Sequence, residues 1–595
     1  MQAGVSKSPD GLQIRGARVY ETQYLVDGIS AQDPLAGTGF GVEVSSSSIG
    51  DLQVITGGQG AEFGDGSSGV ISTKIREGGS RYEVAGSWQR DNLGFNKDAA
   101  TSWNTDIAEL TFAGPVPGTK KKLTFFNNLS LNLTDEYYGP TADQLHSSLF
   151  DGNDSLWAPR QSNKYSHTLK FAWQIKPGTK LTLTNQHSLL INQNTRSLQI
   201  VGADAILRPG FQWSRSLDLD NATTYTHQSN LTAINLNHFF NNQWNINASA
   251  GRLFTNLRAD ANGRPFRPST IDQVFDEASI VTAPVELFNP EDEVVFVLPG
   301  PGLINNNGIS GVWHDHYVQE ITIKTKFSYY PKNKIHRLSF GQEHKMTEYQ
   351  WADVNRPWVD APIQINDTLF TPSISVGASN DIWKVKPSNG GFFIQDVLTY
   401  KSIEATLGMR LNYWAPGSFA DDAVDNPEAP VVDQVREDYR DGTINFLGKR
   451  YKVRLLPKIN VSFPITANNV LYFNYGHSMR LPHPRFIYAG LDPEFQDQSF
   501  LSNIGNPDLD PEVNVSYELG LKSQITKDFA LTVSAFNNNR FDYIVSRRVI
   551  VNDQTGRPVT KRMFINQDYA KITGLELGIF NRFGRHVSTF FNVSF

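Results

Sequence analysis

The chain has 595 residues, of which 39% are hydrophobic, 19% charged and 12% aromatic, with no cysteine and a formal net charge of −6 at pH 7. Without cysteine there is neither a disulfide framework nor a thiolate metal site, and an acidic chain lacking a Lys/Arg cluster has nothing to neutralise a phosphate backbone, which excludes nucleic acid as a partner. Mean hydropathy is −0.37 and no apolar run reaches the roughly 18 residues a membrane helix needs, whereas many aromatics with few charges suit strands that give lipid every second residue.

Met1 leads into Gln2-Ala3-Gly4-Val5 with no signal-peptide pattern, so a mature or incomplete start is expected. Residues 1–80 are Gly- and Ser-rich, with short apolar stretches at 23–26, 51–55 and 69–75, and read as a small separate domain. From about residue 81 the dominant pattern is period-two alternation, the mark of a strand with one wet face. In 123–134 the odd positions Leu123, Phe125, Leu129, Leu131 and Leu133 oppose Thr124, Asn128, Ser130, Asn132 and Thr134. In 405–414, Leu407, Met409 and Leu411 oppose Gly408, Arg410 and Asn412; Ile459, Val461 and Phe463 later oppose Lys458, Asn460 and Ser462.

Turns and long connections alternate. Pro117-Gly118-Thr119, Pro177-Gly178-Thr179, 331–334 and 525–528 are short and built from turn residues, whereas 255–315, 352–389, 415–449 and 481–514 are long and rich in Pro, Gly, Asn and Asp. Tight turns at one end and long loops at the other predict an all-β membrane protein, a large antiparallel transmembrane barrel spanning 81–595. About seventeen strands are expected, the last at 587–595. Bacterial single-chain barrels have even numbers, so this one is expected to stop before closing.

Particular residues point to a family. Ile14-Arg15-Gly16-Ala17-Arg18 followed by Val26-Asp27-Gly28-Ile29, then 49–58 and Gly69-Val70-Ile71-Ser72-Thr73-Lys74, resemble the plug of TonB-dependent outer-membrane receptors. A second set, Gly505-Asn506-Pro507-Asp508-Leu509-Asp510-Pro511-Glu512 with Tyr517-Glu518-Leu519-Gly520-Leu521, is similar to a barrel hallmark of these receptors, as is Gly574-Leu575-Glu576. The likeness spans nearly the whole chain and has the flavour of SusC-like members from Bacteroidota.

The resemblance implies a plug (1–80, its C-terminal part) inside an outer-membrane barrel of about 22 strands when complete. It further implies import of a glycan, peptide or chelated metal driven by TonB, and a SusD-like lid lipoprotein or other outer-membrane subunits as partners. It makes Arg15, Gly16, Asp27 and Gly28 the candidates for latching the plug, with Arg15 paired to barrel glutamates. A Ton box, the first plug half and about five final strands are expected beyond this sequence. The rival reading is a structural subunit of a larger outer-membrane complex.

The remaining chemistry is sparse. The Gly-rich run 56–64 lacks the Lys-Ser/Thr ending of a phosphate loop, so tight plug turns account for it better. His314-Asp315-His316 puts two imidazoles on one strand face; with no third ligand in view the expected setting is a polar rim, with Trp313 and Tyr317 as interface aromatics. Trp313, Trp351 and Trp358 are the ligand-surface candidates, on the ground that loop aromatics stack on sugar or peptide faces. Glu291-Asp292-Glu293 and Asp421-Asp422 could collect Ca²⁺ in external loops; no other cofactor or metal is expected. No nucleophile with a matching base is evident, so no enzyme is expected.

Overall fold

The computed structural model describes residues 4–8, 11–36, 41–91, 105–134, 162–192, 224–260, 312–355, 363–365, 368–370, 379–491, 503–552 and 556–595. Among them, one antiparallel ladder begins at Glu83–Arg90, Asp106–Pro115 and Leu123–Thr134 and ends at Phe529–Asn552, Pro558–Phe583 and Val587–Ser594. It holds eighteen strands in seventeen lines, because Ser379–Val385 and Ser388–Tyr400 lie end to end against the single strand His336–Asn355. The break falls at Pro387, which has no N–H for the ladder, although its carbonyl still accepts from Thr347 N at 3.1 Å. Among the described residues no register joins the first strand to the last. Both edge strands are exposed along nearly all their length, so the barrel wall is open there.

The alternation sets the wall's two faces. On Ile403–Ala415, Leu407, Met409 and Leu411 are 41–52% exposed on the outside, whereas Arg410 and Asn412 are 1% exposed on the inside. Greasy residues face out and polar ones face in, the inverse of a soluble sheet, because lipid rather than a core solvates the apolar face.

Inside the wall lies a sheet of Thr22–Val26, Ile29–Ser30, Ile49–Ile55 and Gly69–Ile75, with the parallel pair Thr22–Val26 and Gly69–Ile75 at its centre. A hairpin of Val5–Ser8 and Gly11–Ile14 precedes it. Its apolar residues are completed by the wall: Val26, Ile29, Ala31 and Ile75 form one buried cluster with Ala113, Phe126, Leu231, Ala233 and Leu253.

Two long connections hold more structure than their composition suggests. The segment 415–449 contains the helices Ser418–Asp425 and Asp433–Gly442, which pack Ala423 and Val435 into a cluster with Leu491, Val551 and Met563. In 481–514 the helix Pro484–Tyr488 turns inward, burying Ile487 and Tyr488 against Leu35 of the plug and Trp351 and Trp383 of the wall.

Candidate functional site

The site is the seam between plug and wall. Two tight turns present its first contacts. Arg15 and Gly16 adopt φ of 52° and 70°, and Asp27 and Gly28 adopt 47° and 85°. The second pair is the two-residue turn, favouring Asp-Gly, that joins a twisted hairpin.

Arg15 points from its turn into the wall. Its NH2 lies 2.8 Å from Glu518 Oε1 and 2.9 Å from Glu576 Oε2, and its Nε donates to Glu576 Oε1 at 2.9 Å. NH1 donates to the carbonyl of Thr56 at 3.0 Å, and the guanidinium covers the Phe536 ring at 4.4 Å. Burial opposes the charge of Arg15, but Glu576 and Glu518 overcome it and raise its pKa above the ordinary arginine value. The glycine run supplies the fit: a Cβ on Gly57 would come within 2.1 Å of Glu518 Oε2.

Asp27 uses both carboxylate oxygens. Lys170 Nζ donates to them at 3.0 and 3.1 Å, Thr184 Oγ1 at 2.6 Å, and Ile75 N at 3.1 Å from within the plug. Gly16 and Gly28 contribute backbone shape alone, since nothing lies within 4 Å of a Cβ placed on either. Further round the wall, Lys345 Nζ lies 2.9 Å from Asp65, Arg540 pairs with Glu21, and Lys458 Nζ donates to the carbonyls of Gly60 and Phe63 at 3.1 and 3.0 Å. Burial would raise the Asp65 carboxyl; Lys345, helped by Arg410 and Arg480, instead holds it down at about 2.

Toward the long connections the contacts change character. Asp33, fully buried in the plug, accepts from His227 Nε2 at 3.0 Å, His316 Nε2 at 3.1 Å and Thr255 Oγ1 at 3.0 Å. Close by, a cavity of about 110 Å³ lies beneath the inward helix, with Tyr20, Gln23, Gln32, Tyr349, Trp414 and Arg480 in its lining. Trp414 Nε1 and Gln23 Oε1 are buried there without a hydrogen-bond partner among the described residues.

Several sequence expectations are corrected. Trp351 is no exposed loop aromatic: the strand runs on to Asn355, and alternation turns the indole inward, where it is fully buried and stacked on His316 and Trp383. His314 and His316 are likewise no open rim, being wholly enclosed, and Tyr317 is buried under Phe254 and Lys384. Asp421 accepts from Tyr439 OH at 2.7 Å and so braces one helix on the other. Trp313 stands on the strand Val312–Tyr329, its side chain outside what is described; Trp358 and Glu291-Asp292-Glu293 also lie outside the described residues. Within those residues no group of three or more His, Asp or Glu is placed to hold a metal.

The motif around Asn506 proves to be a staple. Asn506 Nδ2 donates to the carbonyl of Phe564 at 2.8 Å, and Lys452 Nζ holds Asp508 and Asp510 at 2.8 and 2.9 Å. Sequence reasoning passed over Lys170, Lys345, Asp33 and His227 and placed Lys458 on a wet strand face without a role; an inward strand parity marks the three lysines, while nothing local marks Asp33.

The family model described as "TonB dependent receptor-like, beta-barrel" matches residues 73–595. The chain belongs to the TonB-dependent receptor family. It is an outer-membrane β-barrel protein of a family of transporters, not enzymes. The "TonB-dependent transporter Oar" of Myxococcus xanthus is 30% identical over 158 residues, which is 24% of this chain and 14% of that protein. The chain thus spans about a seventh of that relative's length. Among solved structures, the ferric enterobactin receptor PfeA of Pseudomonas aeruginosa superposes with TM-score 0.61 at 14% identity, over 100% of this chain and 76% of that one. The FrpB iron transporter of Neisseria meningitidis does so with TM-score 0.60 at 14% identity, over 100% and 74%. At such identity these share the fold.

Proposed function

We propose that the chain is a TonB-dependent importer that takes a glycan, peptide or metal-chelate cargo from above the plug and passes it along the seam. The observation that carries this reading is the kind of contact at the seam. Plug and wall meet through side-chain ion pairs and hydrogen bonds, and among the described residues no backbone ladder joins the plug sheet to the barrel. Such contacts separate one by one under a pull, whereas a continuous ladder would have to be torn as a unit. The cavity below the inward helix, with Gln32, Tyr349 and Arg480 in its lining, suits a polar group of the cargo.

The reading includes two partners: TonB, which supplies the pull from the periplasmic side, and a SusD-like lid lipoprotein, as in SusC-like Bacteroidota receptors. Uptake of labelled oligosaccharides, peptides and ferric chelates by paired strains with and without TonB tests it. At least one class should enter only when both this protein and TonB are present; uptake indifferent to TonB overturns the proposal. Co-purification of a lipoprotein from native membranes tests the second partner.

A further inference from the structure

The outer face of the wall carries a row of aromatic contacts that continues onto a hairpin above it. Phe392 meets His344 at 5.4 Å between ring centroids, His344 meets Tyr413 at 5.8 Å, Tyr413 meets Tyr451 at 5.9 Å, and Tyr451 meets Phe446 at 6.5 Å. Tyr413 follows Leu407, Met409 and Leu411 in the outward parity, and Tyr451 precedes Val453 and Leu455, which are likewise exposed. A row of rings at the upper edge of the lipid-facing surface is the girdle of an outer-membrane barrel. Past Tyr451 the strand Lys449–Thr466 turns back through the short strand Ile444–Phe446, with Ile444 opposite Tyr451, Asn445 opposite Arg450 and Phe446 opposite Lys449. Directly opposed residues of an antiparallel pair share a face. Ile444, Phe446 and Lys449 therefore stand on the lipid side with Tyr451, and Asn445 and Arg450 on the other.

The tip of this hairpin is costly. Leu447 and Gly448 adopt φ of 51° and 75°, the two-residue turn that favours Asn-Gly or Asp-Gly. A large side chain resists that backbone region, and every other non-glycine residue with positive φ among those described is Arg, Asp, Lys or Ser. Leu447 is also 88% exposed, more than any other large hydrophobic residue described, beside Ile444 at 58% and Phe446 at 62%. Burial within the chain explains neither cost. An apolar surrounding outside the chain removes the second.

We propose that the hairpin 444–450 is a lipid anchor, which lays Ile444, Phe446 and Leu447 into the outer leaflet beside the barrel. Continuity decides the occupant: the exposed face of the hairpin prolongs the face that lipid already covers, joined to it by ring contacts and by strand register without a break. An apolar patch rimmed by polar residues is the usual form of such a contact. Lys449, exposed and with no side-chain partner among the described residues, stands on the same face, where its stem lies along the apolar patch and its ammonium meets lipid phosphate. The anchor acts on the long connection it ends. Arg450 Nη1 lies 3.5 Å from Thr443 Oγ1, which donates to the carbonyl of Tyr439 at 2.6 Å, so the hairpin is tied to the helix Asp433–Gly442 and holds it at a fixed height over the membrane.

The test uses the full chain in vesicles of phosphatidylcholine and phosphatidylglycerol, with nitroxide labels placed singly through Ile444→Cys, Asn445→Cys and Phe446→Cys, since no native cysteine interferes. Leu411→Cys on the lipid face and Asp528→Cys in an exposed turn serve as references for lipid and for water. The ratio of collisions with oxygen to collisions with a water-soluble nickel chelate should be several-fold higher at positions 444 and 446 than at 445, and close to that at 411. Ratios at 444 and 446 equal to that at 528 overturn the proposal. So does line broadening that grows with protein density in the vesicle, which would place a second copy on this face. Leu447→Asn suits the left-handed turn better than leucine and leaves the hairpin folded, yet should lower the ratio at position 446 several-fold. An unchanged ratio there overturns the anchoring role of Leu447.

Discussion

The half of the seam nearer the short turns and the half nearer the long connections are held by different chemistry. Near the short turns, Arg15 and Lys170 grip carboxylates with a guanidinium and an ammonium group. Near the long connections, Asp33 is gripped by imidazoles and a hydroxyl. Burial alone would raise the Asp33 carboxyl, yet His316 and His227 hold it well below the usual carboxylate range. A permanent cation makes a strong anchor that ignores conditions; an imidazole makes a weaker one that responds to them. The difference suggests a plug fastened at its base and adjustable at its apex.

The lack of native cysteine offers a way to break that comparison, because one cysteine introduced at buried Ser48 reports plug release through its labelling during a urea titration. Arg15→Ala in that background leaves Glu518 and Glu576 as two buried carboxylates without their cation, and should cost about 3–5 kcal/mol of plug docking. An unchanged labelling midpoint would mean the base is no anchor. Acid gives the next effect. Asp65 is held at about 2 against roughly 4 unfolded, so its stabilisation is complete above pH 4 and is lost as pH falls toward 2, about 2 kcal/mol in all. The difference between native chain and Asp65→Asn should shrink over that window; a constant difference would assign the loss elsewhere. At the apex, Thr255→Val removes one neutral donor from Asp33 and should cost about 1 kcal/mol, seen as faster exchange at Leu35 and Ala36. Lys74→Ala, which removes an exposed partner 3.6 Å from Asp51, should shift the urea midpoint by less than the equivalent of about 0.5 kcal/mol.

Some of this was readable from the residues alone. Alternation in Ile403–Ala415 assigns Leu407 outward and Arg410 inward because a strand has no other way to separate them. Both partners of Arg15 sit in recognisable stretches, Glu518 after Tyr517 and Glu576 after Leu575. Trp351 was misplaced because a loop-like composition begins just after it while the strand's period continues. The helices Ser418–Asp425 and Asp433–Gly442 escaped notice although Phe419, Ala420, Ala423 and Val424, and then Val435 and Tyr439, keep helical spacing. Asp33 and His316 are 283 residues apart, and no local pattern connects them. Sequence spacing shows that His314 and His316 share a face, and only the fold brings Asp353 of the wall to the first and Asp33 of the plug to the second.

That separation along the chain bears on how the molecule is assembled. Arg15 finds Glu518 and Glu576 at distances of 503 and 561 residues, and Glu21 finds Arg540 at 519. Residues synthesised early here have partners that follow more than 500 residues later. The plug also borrows Phe126, Leu231 and Leu253 of the wall to complete its apolar cluster, so it has little to fold around beforehand. Contacts this remote form late, since the intervening chain must be ordered before closing the loop is rewarded. The plug should therefore be the last part to settle, and until Pro558–Phe583 is laid down it needs keeping soluble by something other than the barrel it will fill.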